Sequence, residues 1–241
     1  KWNAGYFYGV QPQKQEGLSY VGFNVPVGRL HSDEVFELAR ISRKYGNGEI
    51  RTCNSQNLII PNVPNELTDQ LLQEKIFEKI VANPNSFIGH SVSCTGIEYC
   101  NLALVETKAR MKSIAEYLDE NVELDVPVRL HIVGCPNSCG QRQIADIGLQ
   151  GVLMKNKDKK MVEAFEIYVG GTLEHGGTFN SKLKGRVPAE QLQGTIEWLL
   201  NDFKEHKLLG ENYQEFFIRV GIEHIQKSLD AAIEHYNEQV S

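Results

Sequence analysis

The sequence predicts an α/β (α+β) chain built in two units. Three observations carry this reading: β-rich and amphipathic segments alternate at the start, a turn-rich break follows, and later strands give way to a helical end. "LSYVGFNVPV" is rich in β-formers and reads as a strand. "HSDEVFELARISRKYGNG" reads as a helix, with Ser32 at the N-cap and acidic residues in the first turn. Val35, Leu38, Ala39 and Ile41 or Ser42 mark its apolar stripe, and Gly46 ends it. "EIRTCNSQNLIIP" reads as a second strand ended by Pro61, and "NELTDQLLQEKIFEKIVAN" as a second amphipathic helix. The β-α-β-α order predicts a ferredoxin-like (α/β plait) half-domain over residues 1–85.

The polar, turn-rich "ANPNS" at 82–86 sets the boundary to a second, mixed α/β unit over 86–241. "FIGHSVSC" reads as a strand, followed by a long helix from Asn101 to Glu120. Ala103, Leu104, Met111, Ile114, Ala115 and Leu118 share one face of that helix. "VPVRLHIVG", "IADIGLQGVLM" and "FEIYVGG" read as strands, the last two joined by a turn in "KNKDKK". From Pro188 onward the pattern is mostly helical, and neither a repeat nor a low-complexity tract interrupts it.

Bulk properties exclude several classes. The chain has 241 residues, 41% of them hydrophobic, and a net charge of -6, so it can bury a sizeable core. That acidity argues against a nucleic-acid partner, whose footprint is a basic face. The longest apolar run falls short of a membrane span. A start at Lys1 without a signal peptide suggests an excerpt or a processed piece. Five cysteines, few and odd in number, fit a disulfide scaffold poorly and favour a reducing compartment.

Four of those cysteines form two pairs. "CTGIEYC" carries Cys94 and Cys100, and "GCPNSCGQ" carries Cys135 and Cys139. Each pair sits where a strand runs out into a loop, so two such loops side by side would gather four sulfurs. Loop N–H groups there favour thiolates, which an iron–sulfur cluster requires. A zinc site is an alternative, although five residues between Cys94 and Cys100 exceed the usual two to four. Disulfides and ordinary packed cysteines also remain open on spacing alone. Cys53, alone in a strand, reads as a small apolar residue.

Longer stretches carry a resemblance. "GVQPQKQEGLSYVGFNVPVGRL", "YGNGEIRTCNSQNLIIPNVP", "SCTGIEYCNLALVETKAR" and "GCPNSCGQRQIADIGLQG" resemble the siroheme-containing nitrite and sulfite reductases, in that family's order. Within the family, the ferredoxin-dependent nitrite-reducing branch is the most similar. The resemblance runs from about Gly9 to Gly171 and corresponds to the C-terminal half of the family enzyme.

The resemblance implies a 4Fe-4S cluster on Cys94, Cys100, Cys135 and Cys139, with Cys139 also bridging to the siroheme iron. It implies reduced ferredoxin as electron donor and nitrite as substrate, taken to ammonium in nitrate assimilation. Gln56 and Asn137 match siroheme-contacting positions, and Asn57, Thr95 and Arg142 are neighbours within reach of macrocycle carboxylates. The basic residues that grip siroheme and nitrite belong, in the family, to the N-terminal half, which is therefore an expected partner. Plastid stroma or cyanobacterial cytoplasm is the expected location.

Some features depart from the pattern or weigh against it. Gln11 stands where the family usually has histidine. His131 is expected to be a packed residue rather than a ligand. "KNKDKK" and "KLKGR" are candidate ferredoxin-docking patches, against the plainer reading of solvated turns. Assimilatory sulfite reductase, a siroheme-free electron-transfer module and a zinc-stabilised interaction protein are the alternative functions.

Overall fold

The structure, a computed structural model, describes residues 6–174 and 177–239. Lys1 lies outside the described residues. The chain divides after Gly89 into two compact units.

The first unit is a four-stranded antiparallel sheet with one long helix. Its strands β1 (Gly9–Pro12), β2 (Leu18–Phe23), β3 (Arg51–Thr52) and β4 (Leu58–Pro64) lie in the order β1-β2-β4-β3. Helix α1 (Ser32–Tyr45) connects β2 to β3 and buries Leu38, Ile41, Ser42 and Tyr45. Leu38, Ile41 and Tyr45 meet Val21, Phe23, Leu58, Ile60 and Val63 of the sheet in one apolar cluster, whereas Val35, predicted on the same stripe, is exposed. The cap of α1 is His31 rather than Ser32, with Glu34 closing a capping box onto the His31 backbone N–H at 2.7 Å.

Two readings of this unit are corrected. Pro61 does not end the second strand. That segment is a hairpin of β3 and β4, and β4 runs on to Pro64 through a register shift opposite Ser19 and Val21. A proline is tolerated there because the ladder is already interrupted. The single second helix is also broken, into α2 (Thr68–Leu72) and a 3₁₀ turn at Lys75–Glu78. The chain turns extended at Glu74, whose carboxylate reaches Arg40 at 2.7 Å, Lys44 at 2.9 Å and Tyr45 Oη at 2.8 Å on α1.

The Lys44 hydrogen bond leads the contacts that hold the Glu74 carboxyl down at about 2. Because the folded value lies below the unfolded one, this latch is at full strength above pH ~4.5 and is lost as pH falls toward 2. Its basic partners are half exposed, so Glu74→Gln is expected to cost only about 1 kcal/mol in urea unfolding at pH 7. The variant's penalty should shrink progressively when the measurement is repeated between pH 4.5 and pH 2.

The second unit, from His90 onward, holds a six-stranded sheet and the helical end. After the short α3 (Ser86–Gly89), strands β5 (Ser91–Ser93), β6 (Leu130–Val133), β7 (Ile147–Lys155), β8 (Met161–Val169), β9 (Ser181–Lys182) and β10 (Val187–Pro188) form one sheet. The order is β10-β8-β7-β6-β5, with β9 also on β8. β5, β6 and β7 are parallel neighbours, whereas β7 and β8 form a long antiparallel hairpin. Helix α4 (Lys108–Asn121) crosses from β5 to β6 and buries Met111, Ile114, Ala115 and Leu118. Helices α5 (Leu192–His206), α6 (Tyr213–Val220) and α7 (Ile222–Gln239) finish the unit, as the helical pattern beyond Pro188 predicts.

The predicted start of α4 is wrong by two turns. Residues 101–107 form a loop because their backbone groups are used elsewhere: Leu104 N–H donates to Gly134 O at 2.8 Å. Glu106 then caps the helix by accepting from the N–H groups of Ala109 and Arg110 at 2.8 and 2.9 Å. The predicted strand "FIGHSVSC" is likewise half a helical turn, α3, before β5 begins.

Candidate metal centre

β5 and β6 lie side by side and parallel, so their C-terminal loops leave the sheet at the same edge, where open α/β sheets place their ligands. Cys94 follows β5 directly, and Cys135 follows β6 after one glycine. Cys94 N–H still bonds Ile132 O at 3.1 Å, extending the ladder. The N–H of Gly134 donates to Cys94 Sγ at 3.1 Å, a bond that stabilises a thiolate over a thiol. Thr107 donates to Cys94 O at 2.8 Å and tethers the start of α4 to the same loop.

Two missing side chains let the loops interlock. A Cβ on Gly134 would stand 2.9 Å from Ala103 Cβ, so the loop after Cys100 rests directly on the residue before Cys135. A Cβ on Gly140 would stand 2.8 Å from Ile132 O and 3.2 Å from Cys94 N, so the residue after Cys139 rests on Cys94. Each cysteine-bearing loop is thereby pressed against the other, as two half-sites of one centre require.

Within "CPNSCGQ" the backbone is strained. Ser138 and Gln141 adopt left-handed conformations, with φ of 56° and 54°, which cost about 1–3 kcal/mol each unless the surroundings compensate. Two side chains do so. Ser138 Oγ donates to Gln143 Oε1 at 2.7 Å. Buried His131 places Nδ1 at 2.9 Å from Gly140 O and 3.1 Å from Gln141 O. Both partners are carbonyls, so that nitrogen carries the proton and donates. Burial pushes the imidazole pKa down to about 4, leaving it neutral at pH 7.

All five cysteines are free thiols; Cys94, Cys100 and Cys135 are half-buried and Cys139 is exposed. The donor set fits an iron–sulfur cluster: four free thiols on two interlocked loops, with a backbone N–H already aimed at one sulfur. Cys53 lies in the first unit at the β3–β4 turn, and burial pushes its thiol pKa up, as for an inert packed cysteine.

The other candidates divide in the same way. Thr95 and Asn137 are exposed on the two cysteine loops. Arg142 stacks over the Tyr168 ring at 3.7 Å, and its Nε donates to Gln150 Oε1 at 2.8 Å. Gln56 sits at the tip of the β3–β4 turn with φ 65°. Asn57 is buried, and its amide is spent within the first unit. Its oxygen accepts from Asn24 Nδ2 and Val25 N at 3.0 Å, and its nitrogen donates to Tyr8 at 2.9 Å and Ser55 at 3.0 Å. Gln11 is exposed and donates to Tyr8 O at 3.0 Å.

The basic patches look different once folded. Lys155 and Lys157 lie on the exposed β7–β8 turn. Lys182 and Arg186 instead approach Glu166 at 2.7 and 3.6 Å. Burial raises the Glu166 pKa, but Lys182 and Arg186 outweigh it and hold the group below the usual carboxylate range. Sequence reasoning missed the His131 clamp, because the carbonyls it holds belong to a loop nine residues on. The glycines flanking the cysteines were its one visible sign.

Comparison with known proteins gives the chain's family. Residues 11–74 match the nitrite/sulfite reductase ferredoxin-like half domain, and residues 86–236 match the nitrite and sulphite reductase 4Fe-4S domain. The chain belongs to the nitrite and sulfite reductase family, whose members carry siroheme and a 4Fe-4S cluster. It is 44% identical over 202 residues to the chloroplastic ferredoxin–nitrite reductase of Zea mays, covering 83% of this chain and 36% of that protein. It is 43% identical over 199 residues to the ferredoxin–nitrite reductase of Synechococcus elongatus, covering 83% of this chain and 39% of that one. The solved structure of the Mycobacterium tuberculosis NirA protein superimposes with a TM-score of 0.83 at 31% identity, over 91% of this chain and 41% of that one. The chain thus spans little more than a third of the length of the curated relatives it matches.

Proposed function

We propose that this chain is the cluster- and siroheme-carrying portion of an assimilatory ferredoxin-dependent nitrite reductase. The observation that carries this reading is the pair of interlocked cysteine loops at the shared end of β5 and β6. Cys94, Cys100, Cys135 and Cys139 are assigned to the cluster, and Cys139, the exposed one, to the bridge toward the siroheme iron. When bound, the two groups supply one-electron transfer and an iron site for nitrite, which is taken to ammonium in a six-electron reduction.

The chain's own residues hold and orient. Gly134 N–H holds the Cys94 sulfur in place, and His131 fixes the backbone on which Cys139 stands. Thr95 and Asn137 are assigned to the macrocycle from their place on the two loops. Arg142, pinned on Tyr168, is assigned to a siroheme carboxylate through its remaining N–H groups. Gln56 is assigned to the macrocycle on its motif. Asn57, with its amide fully used, is assigned the positioning of the Gln56 turn.

Nitrite-binding basic residues are assigned to an N-terminal half, since the relatives are longer than this chain. Reduced ferredoxin is the proposed donor, consistent with the names of the relatives. Chloroplast stroma or cyanobacterial cytoplasm is the proposed location on the same ground. No helix among the described residues is long and apolar enough to cross a membrane.

The test uses the full-length protein prepared without oxygen. Its absorption spectrum and iron content should show siroheme electronically coupled to a cluster, with turnover of nitrite by reduced ferredoxin faster than turnover of sulfite. Faster sulfite turnover would transfer the assignment to sulfite reductase. A cluster without macrocycle absorption, or a colourless zinc protein, would sink the reductase reading.

A further inference from the structure

The helical end of the second unit holds a cluster of metal-ligating side chains far along the chain from the cysteines. Asp202 and His206 stand one turn apart on α5, and His224 is in the first turn of α7. An i, i+4 pair on one helix presents both side chains on the same face, which is why this spacing recurs in metal sites. Each of the three offers a ligand atom, and these atoms all lie within 4.8 Å of one another.

The spacings of these His–Asp pairs are also those that an ion requires. His224 Nε2 lies 3.1 Å from Asp202 Oδ2, and His206 Nδ1 lies 3.3 Å from Asp202 Oδ1. A tetrahedral zinc site with bonds of 2.0–2.1 Å has ligand–ligand edges of about 3.3 Å. The electrostatics also favour a cation. His206 is the last residue of α5, where unpaired carbonyls leave partial negative charge. Arg219, whose guanidinium reaches His206 O at 2.8 Å, is neutralised by Glu211 at 2.7 Å. His206 is exposed and Asp202 and His224 are half-buried, so water can complete the coordination.

We propose that Asp202, His206 and His224 form a divalent metal site, with zinc as the ion that two imidazoles and a carboxylate select. It would brace α7 against the end of α5. Other aromatic groups shape its wall: the Phe216 ring centre lies 5.9 Å from that of His224. His206 Nδ1 also lies 2.9 Å from Asp202 O, so zinc on that nitrogen displaces this contact and requires the tautomer with its proton on Nε2. The site needs neither the cluster nor siroheme and does not depend on the proposed reductase activity.

The test is equilibrium dialysis of the holoprotein against zinc chloride, followed by metal analysis. With the cysteines occupied by iron, one zinc per chain is expected in addition to the iron. His224→Ala and His206→Ala should lose that equivalent, and His235→Ala, elsewhere on α7, should keep it. Asp202→Asn, which preserves shape, decides the matter if a histidine variant fails to fold. Zinc should raise the melting temperature of the parent protein and leave the Asp202→Asn protein unmoved. Iron counted on the same samples separates a failure to assemble the cluster from a failure to bind zinc. No zinc above the iron, or equal uptake by parent and variants, would overturn the proposal. A melting temperature that follows pH and ignores zinc would do the same, leaving a carboxylate held between two histidines.

Discussion

Cys139→Ser is expected to abolish the electronic coupling between siroheme and cluster and to strip most of the iron, whereas Cys53→Ser keeps both groups. The contrast follows from position. Cys139 is the exposed member of four thiols on interlocked loops, while Cys53 is a half-buried thiol in the other unit with its pKa raised by burial. A serine hydroxyl does not ionise near neutral pH and is a poor replacement for a thiolate ligand. Iron and sulfide analysis with electron paramagnetic resonance of the reduced protein reads the outcome. Full iron content with unaltered siroheme absorption in Cys139→Ser would remove Cys139 from the centre. Loss of either group in Cys53→Ser would show that the first unit's cysteine had been misread.

Gly140→Ala is expected to be nearly as damaging, although no ligand is touched. The added methyl would meet Ile132 O at 2.8 Å and Cys94 N at 3.2 Å, and both are backbone atoms that cannot swing aside. Relief requires parting the two cysteine loops. Overpacking of this kind costs about 1–3 kcal/mol, equivalent to a fall of several degrees in melting temperature for a chain of this size. Iron content should fall with it, because the loops no longer present four sulfurs together. Gly17→Ala is the control: φ there is +78°, but nothing lies within 4 Å of the new carbon. It should cost backbone strain of about 1 kcal/mol and leave the iron unchanged. If Gly140→Ala carried full iron at the parental melting temperature, the interlocking of the loops would have no functional weight.

What could be read from the residues follows how local each determinant is. The placement of the four cysteines on two neighbouring loops was legible because each pair lies in one short loop after a strand, with glycine alongside. Helix α1 was legible because Leu38, Ile41 and its Gly46 stop lie within one segment, although Val35, read into the same stripe, is exposed. The segment 101–107 misled because its apolar residues keep a helical spacing while its backbone serves Gly134, a partner thirty residues away. The break at Glu74 was hidden for a similar reason: its three partners lie on α1. Pro61 read as a terminator because the register shift that accommodates it belongs to the pairing with β2. Asp202 and His206 show their spacing in the sequence, but His224 joins them only through the packing of α7 on α5.

His131 has a consequence for proton traffic. Its single ring proton is committed to two backbone carbonyls, and burial keeps a second proton off until pH nears 4. The side chain beneath the cysteine loop therefore works as a fixed dipole, unable to relay hydrogen ions at working pH. If the proposed nitrite reduction takes place at this centre, the protons it consumes do not come through His131. Any ionisation near neutrality in a pH–rate profile would then belong to a group other than His131.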